Sequence, residues 1–488
     1  MVERAESNGI VALRRSPWGG GIGGDKGMEG TNVDFSKRLY VVAEPDVLVC
    51  GCGSAGIAAT IAAARHGART LAIERWGFAG GYMTAVFGPG MDGFVDLRSG
   101  LPVVGGVAFE FARLAGGATG DIAHTRFQPG SDLRELDENA EWRPMCLDVE
   151  LFKLHADRLM RAAGAQILYH TVVADALAEN GHITGVVIAN KGGLGIIRPK
   201  VVVDATGDAD VAAFAGAEYA VSEVLQPMSL HFRIRGVQGI TARLREKCAA
   251  ALKQGSDAGR LPLYGGPWMG QVNADELWIN ATRIPGSGLN PKDVTHAEIR
   301  GREDAWTMFE LWKEHVSEFR DAIFVTSGPV VGVRETRRIV GDETIRREDI
   351  LAKKAVADAV VLGAWYLDRH PDGKSGYHIH EVVRPYGIGY RTLLPRGADN
   401  LLVAGRCHSA DSAALASTRV NITAMGMGQA AGTAAALCAA GRTSPREVSI
   451  GTLQSELLKD GVIILERAEE ILRVGDACGD RIPESKPR

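Results

Sequence analysis

The chain has 488 residues, which corresponds to roughly two to four domains by length and is ample for a large buried core. Its 55 basic and 59 acidic residues leave a formal charge of −4, which gives no reason to expect nucleic acid or a membrane surface as a partner. Seven scattered cysteines without a C-x-x-C pair fit a reducing compartment; with no span of about 18 apolar residues and no apolar segment after Arg14 and Arg15, the expected location is the cytoplasm.

Residues 1–38 are rich in glycine and charge and lack periodicity, so they are expected to form a flexible arm. Leu39 to Ala43 and Asp46 to Cys50 are strand candidates. A glycine loop follows, then an alanine-rich helix from Ala55 to His66 stopped by Gly67, then a strand from Arg69 to Glu74. The loop reads G-C-G-S-A-G, with Gly51 for the tight turn, Gly53 for close approach of backbone to phosphate, and Gly56 for close packing of helix on strand. Glu74 ends the next strand at the distance where an acid accepts hydrogen bonds from a ribose. Strand, loop, helix, strand and acid together predict a dinucleotide site. The alternative is a glycine turn in an unrelated α/β domain.

Further along, Val107 to Leu114 and Val149 to Ala163 have helical periodicity. Ile167 to Ala178 reads as a strand, Asn180-Gly181 as a hairpin turn, Ile183 to Ala189 as the returning strand and Ile196 to Asp204 as a third. Residues 221–394 mix both patterns and hold most of the tryptophans. Asn400 to Gly405 is a buried strand, Thr418 to Ala440 a helix, and Leu453 to Leu472 a helical tail. There is no internal repeat and no second strand–GxGxxG–helix unit. Gly19 to Gly24 has neither a strand before it nor an acid after it, so no separate NAD(P) domain is expected.

Four stretches carry a resemblance: DVLVCGCGSAGIAATIAAARHGARTLAIERWGFAGG, VVVDATGDADVA, VGVRETRRIVGDETI, and YRTLLPRGADNLLVAGRCHSADSAALASTRVNITAMGMGQAAGTAAAL. They are similar to FAD-dependent oxidoreductases of the glutathione-reductase-like FAD fold, related to the flavoprotein subunits of succinate dehydrogenase and fumarate reductase. The family pattern has a proline where this chain has Gly389. The resemblance implies an α/β fold: a Rossmann-like FAD-binding domain of the GR2 type, discontinuous over 39–85, 147–220 and 395–450. An inserted α+β substrate domain would take 86–146 and 221–394, and a helical tail 451–488. It implies FAD as cofactor, contacted by Gly51, Gly53, Ser54, Ala55 and Gly56, by Glu74 and Arg75, by Gly80 and Gly81, and by Val173 at adenine. Gly207 and Asp208 would lie near the diphosphate, and Gly405, Arg406 and Asp411 near the flavin. Backbone N–H groups of Val420, Asn421 and Ile422 would face the flavin edge where charge develops. Asp208 reads equally as a helix cap before Ala209.

For the reaction, a flavin that accepts a hydride at N5 needs a base nearby. His378 and His380 share a face if their segment is a strand, and a neutral histidine can take the proton. The alternative is a pair of loop histidines, and no metal set is expected. Alternation through Val331, Val333 and Arg334 suggests a strand from which Arg334, Arg337 and Arg338 clamp a carboxylate. The alternative for these is ion pairing with Glu335, Asp342 and Glu343. Tyr390 completes the candidate catalytic set, and a covalent flavin at Cys407 is the minor reading of that cysteine. The expected activity is a dehydrogenase or oxidase acting on a small polar molecule. A flavin monooxygenase, a redox-neutral FAD enzyme and a non-catalytic FAD protein are the alternatives. Oxygen, a quinone or a protein would take the electrons, and a homo-oligomer is compatible with the chain.

Overall fold

The computed structural model describes residues 36–96, 102–115, 148–370, 379–381 and 383–464. Most of the expected N-terminal arm, His378 and the end of the expected tail lie outside them. Five short runs form one sheet in the order Leu401–Val403, Val201–Asp204, Val47–Cys50, Thr70–Ile73, Gln166–Leu168, and all its pairings are parallel. The runs VLVC, TLAI and VVVD are buried at every position. Unbroken apolar strands are what a parallel sheet covered on both faces requires.

One face is covered by helices Ser54–Arg65 and Asn421–Gly441, which pack backbone to backbone. A Cβ on Gly428 would stand 2.0 Å from the Ala55 carbonyl oxygen, and one on Gly432 would stand 2.2 Å from that of Ala59. This contact explains the alanine- and glycine-rich composition of both helices, because any larger side chain on the seam would drive them apart. The other face is covered by the strands Val172–Glu179, His182–Asn190 and Gly193–Ile197, with Tyr40–Ala43 alongside. Asn180 and Gly181 make the hairpin turn with φ of 50° and 85°, as their sequence predicts.

Four expectations are corrected. The run from Ile167 to Ala178 is two strands in two sheets, split at His170, whose φ is +52°. The run from Ile196 to Asp204 is likewise divided between sheets, at Pro199, which cannot donate to a ladder. The helix expected from Thr418 is interrupted at Val420, which is extended and starts a new helix. Residues 331–336 are not a strand: only Gly332 bridges, to Ser229.

A second sheet is antiparallel, in the order Trp268–Asn273, Glu276–Asn280, His231–Arg235, Ile323–Ser327. Phe232 and Ile234 enter its own core, beneath helices Ala242–Asp257 and Pro291–His315. Phe232 stacks on Trp312 and Phe324 with ring centroids 6.0 and 5.4 Å apart. Alternation along the strand then turns His231 and Arg233 to the opposite face. His231 there joins the wall of the cavity between the two sheets.

Candidate active site

The glycine loop builds one end of that cavity from backbone. Gly51 has φ +92°, and a Cβ there would lie 2.6 Å from the Ala205 carbonyl oxygen. A Cβ on Gly56 would fall 1.7 Å from the Gly51 oxygen, so only glycine lets the helix start this close to the turn. Gly53 is the N-cap of helix Ser54–Arg65, and no side chain caps that helix. The N–H groups of its first turn and its positive dipole end are thus available to an anion. A second glycine pair, Gly80 and Gly81, brings the next loop so close that a Cβ on Gly81 would be 2.9 Å from the Gly53 Cα.

Glu74 is fixed at the end of its strand. Its carboxylate accepts from the Cys52 N–H at 2.7 Å and the Trp76 N–H at 3.0 Å, and burial raises its pKa. From Glu74 and Val173 a cavity of about 460 Å³ runs past Gly53, Gly207 and Gly405 to the antiparallel sheet.

Of the residues expected to contact the cofactor, Gly51, Gly53, Ser54, Ala55, Glu74, Arg75, Gly81, Val173, Gly207, Gly405, Arg406, Val420 and Asn421 line this cavity. Five do not. Gly56 serves helix packing. Gly80 closes on Thr84, whose side chain a Cβ would meet at 2.4 Å. Asp208 accepts from Arg406 at 2.6 Å and from Thr336 at 2.7 Å, so it positions Arg406. Nor is Asp208 a helix cap: Ala209 precedes the helix at φ +54°, and the Thr206 hydroxyl oxygen accepts the Asp210 N–H at 3.0 Å. Asp411 caps helix Ser412–Thr418 through the Ala414 N–H at 2.6 Å. Ile422 is fully buried, and its N–H reaches the Asp92 carbonyl oxygen at 3.2 Å.

The far end of the cavity is built from side chains that come from distant segments. Arg283 and Arg334 are 4% and 8% exposed and lie side by side, both donating to the Ser229 hydroxyl oxygen at 3.0 and 2.8 Å. Their other acceptors are neutral: Asn280 and the Thr282 carbonyl for Arg283, the Pro227 carbonyl for Arg334. Burial and the neighbouring Arg419 push Arg334 down to about 10, so it remains charged at neutral pH. Arg419 pairs with Asp368 at 3.5 Å, and Asp368 also meets the His370 Nε2 at 3.3 Å. Burial, reinforced by the arginines, pushes His370 well below its ordinary value and His231 down to about 3, leaving both imidazoles neutral. Burial and Asp368 push the Asp92 carboxyl up to about 6, against the pull of Arg419.

Of the expected catalytic residues, Arg334 alone is among the described residues that line the cavity. Arg334 lines the cavity, but from an irregular segment. Arg337 points to the Asp208 carbonyl at 2.7 Å and to Asp210 at 2.9 Å. Arg338 pairs with Glu335 and donates to the Ala410 carbonyl at 2.9 Å. The internal ion-pairing alternative describes Arg338 with Glu335; Arg337 pairs with Asp210 instead, and Asp342 and Glu343 pair with Arg446 and Arg391. Tyr390 is 1% exposed in the core, and its hydroxyl donates to the Pro445 carbonyl at 2.9 Å, away from the cavity. His380 lies in strand Ile379–Glu381, paired with Asp368 across the ladder, while His378 is outside the described residues. Cys407 is fully buried and absent from the cavity wall.

The side chains of Asp92, His231, Arg283, Asp368, His370 and Arg419 were not among the expected site groups, although the backbone near Arg419 was. The alternation His-Phe-Arg-Ile-Arg could have flagged His231, and Arg419 stands inside a family stretch; the others carry no local signal. Among the described residues no cluster suited to a metal ion occurs, and no helix is long and apolar enough to cross a membrane.

A parallel sheet, an uncapped helix behind a glycine turn, and an acid on the next strand define a dinucleotide-binding oxidoreductase fold. Residues 46–457 match the family described as FAD dependent oxidoreductase, and the chain belongs to that family. Its cofactor is FAD, which fits the glycine cradle and the free helix start. No curated protein matches the chain. Among solved structures it is similar to the flavin-dependent brominase Bmp2, at 16% identity over 90% of this chain and 94% of that one, with a TM-score of 0.44. A geranylgeranyl bacteriochlorophyll reductase-like protein from Thermoplasma acidophilum gives 14%, 89%, 87% and 0.43. The myxobacterial chondrochloren halogenase CndH gives 15%, 85%, 78% and 0.44. Likenesses this distant say nothing about the substrate.

Proposed function

We propose that this chain is an FAD-dependent dehydrogenase or oxidase that removes a hydride and a proton from a small polar substrate. The observation that supports the reading is continuity: one cavity joins the dinucleotide cradle to a wall of buried titratable side chains. Bound FAD supplies the acceptor for two electrons. The protein's part is to hold the substrate, exclude water and take the proton. Arg283 and Arg334 offer fixed donors to a polar group. His370, neutral and backed by Asp368 at 3.3 Å, can accept a proton, and the adjacent carboxylate stabilises the imidazolium that results. Asp92, near 6, is a second acceptor when ionised.

The test is anaerobic. Holoenzyme is mixed with hydroxy acids, amines, sugars and aromatic alcohols while flavin absorbance is followed. One class is expected to bleach it within the turnover time. Turnover without bleaching would instead mark a redox-neutral enzyme, and reduction by NAD(P)H alone followed by oxygen uptake would mark a monooxygenase.

A further inference from the structure

Arg283 and Arg334 are an unusual pair. Two guanidiniums, each more than nine-tenths buried, share one serine hydroxyl and among the described residues otherwise donate only to neutral acceptors. Buried charge is costly unless it is paired. The carboxylate that bears on both, Asp368, is already engaged by Arg419 at 3.5 Å and by His370 at 3.3 Å. Asp92, titrating near 6, is mostly ionised at neutral pH, but Asp92 and Asp368 together set two negative charges against the three positive ones of Arg283, Arg334 and Arg419. The cofactor's phosphates have their own attractor in the uncapped helix start at Ser54, on the other sheet. Among the described residues, this end of the cavity therefore keeps one positive charge without a negative partner.

The walls around the pair are aromatic. Only 6% of the chain is aromatic, yet four of its eight tryptophans line this one cavity: Trp76 beside Glu74, and Trp268, Trp278 and Trp365. The Arg283 guanidinium lies over the Trp268 ring, 4.6 Å from its centroid, which fixes the plane of its donors. Trp365 is stacked on Tyr366 at 4.5 Å. The indole N–H of Trp278 is buried without a hydrogen-bond partner among the described residues.

We propose that this chamber binds an aryl carboxylate, its carboxylate between Arg283 and Arg334 and its ring against the tryptophans. The inference rests on the reading of the cavity as the substrate site and names the class of molecule that enters it. A planar carboxylate matches the donor geometry of guanidinium, and a flat ring matches indole faces. The positive field that attracts the carboxylate repels an ammonium group, so an aryl acid without an amine is favoured over an amino acid. Binding also acts on the base: burial is the main cause that depresses His370 and His231, and neutralising the two arginines relieves only the smaller contribution of their charges.

The experiment is calorimetric titration of oxidised holoenzyme with benzoate, benzamide, cyclohexanecarboxylate and acetate. Benzoate is expected to bind saturably, and each of the other three at least tenfold more weakly. Arg334→Met should weaken benzoate at least tenfold and leave benzamide unchanged; Arg337→Met, at an arginine engaged elsewhere, should change neither. Absence of saturable benzoate binding, benzamide as tight as benzoate, or full benzoate affinity in Arg334→Met overturns the carboxylate clamp. Cyclohexanecarboxylate as tight as benzoate overturns the aryl assignment. The ligand series on the unaltered protein stands even if a variant fails to fold. No turnover is involved: benzoate binding without substrate-driven flavin reduction sinks the dehydrogenase reading alone. Reduction by an uncharged substrate without benzoate binding sinks the clamp alone.

Discussion

At the dinucleotide end of the cavity the protein presents backbone, and at the arginine end it presents side chains. The first is made mainly within one stretch, Gly51 to Gly81, where glycines hold main chain against main chain, with Val173, Ala205, Gly207 and Gly405 closing it. The second draws Ser229, Arg283, Arg334, Asp368 and Arg419 from separate segments, joined through one hydroxyl and one carboxylate. Backbone sites tolerate no added atom at the crossing points. Side-chain sites tolerate a change of shape but not of charge. Substitutions at the two ends should therefore fail in different ways.

The largest effect is expected at Gly56. In Gly56→Ala the new methyl would stand 1.7 Å from a carbonyl oxygen, a clash relieved only by moving the loop or the helix. The protein should purify without flavin, read as the ratio of flavin to protein absorbance. Gly67→Ala is the counterpart: its φ of +85° strains alanine, but nothing lies within 4 Å. It should lose about 1 kcal/mol of stability and keep its FAD. Full flavin content in Gly56→Ala would remove the close-packing argument.

At the other end, Arg334→Met should retain FAD and lose catalysis. Removing one guanidinium from a desolvated clamp costs roughly 2–5 kcal/mol in anion recognition, or at least thirtyfold in kcat/KM on the substrate found by the flavin screen. Its ligand-free Tm should not fall and should rise slightly, because an uncompensated buried charge has gone. Lower stability together with wild-type kcat/KM would show that Arg334 is structural.

This contrast also decides what was legible in the sequence. The turn, the helix, the following strand and Glu74 were readable because their roles depend on spacing within about 30 residues, a distance over which local geometry is fixed. Val173 and Gly405 came from resemblance, and both line the cavity. The arginine end was only partly legible, because proximity in sequence left Arg334, Arg337 and Arg338 open between a clamp and ion pairing. The segment is not a strand, and its arginines diverge to the cavity, to Asp210 and to Glu335. The true neighbour of Arg334 is Arg283, which only the antiparallel sheet and the Ser229–Gly332 bridge bring close. Nothing local to Arg283 encodes that contact.

A smaller effect, and one that depends on pH, is expected at Asp92. Its folded-state carboxyl titrates near 6 against an ordinary 3.8, raised by burial and by Asp368, with Arg419 opposing. Between those values the folded protein holds a proton that the unfolded chain has lost. The group's contribution to stability is therefore full below about pH 4 and is lost as the pH rises towards 6, at no more than about 1.4 kcal/mol per pH unit. Comparing the unaltered protein with Asp92→Asn by denaturant unfolding across that range should show the slope disappear in the variant. Parallel curves would mean that Asp92 is ordinarily solvated and that the arginine end is wetter than its burial implies.

The smallest effect separates the cavity from the core beside it. Tyr390 follows directly on a strand and stands inside a family stretch, which made it a candidate for chemistry. Its ring instead lies in the main core and its hydroxyl serves the Pro445 carbonyl at 2.9 Å. Tyr390→Phe keeps the ring and leaves that buried oxygen without its donor, a loss of about 1 kcal/mol measured in denaturant. Flavin content, kcat and KM should be unchanged, since no atom of Tyr390 lines the cavity. A fall in kcat with unaltered stability would be the opposite signature: it would require the hydroxyl to leave Pro445 during turnover, and the boundary between core and cavity would have to be redrawn at that residue.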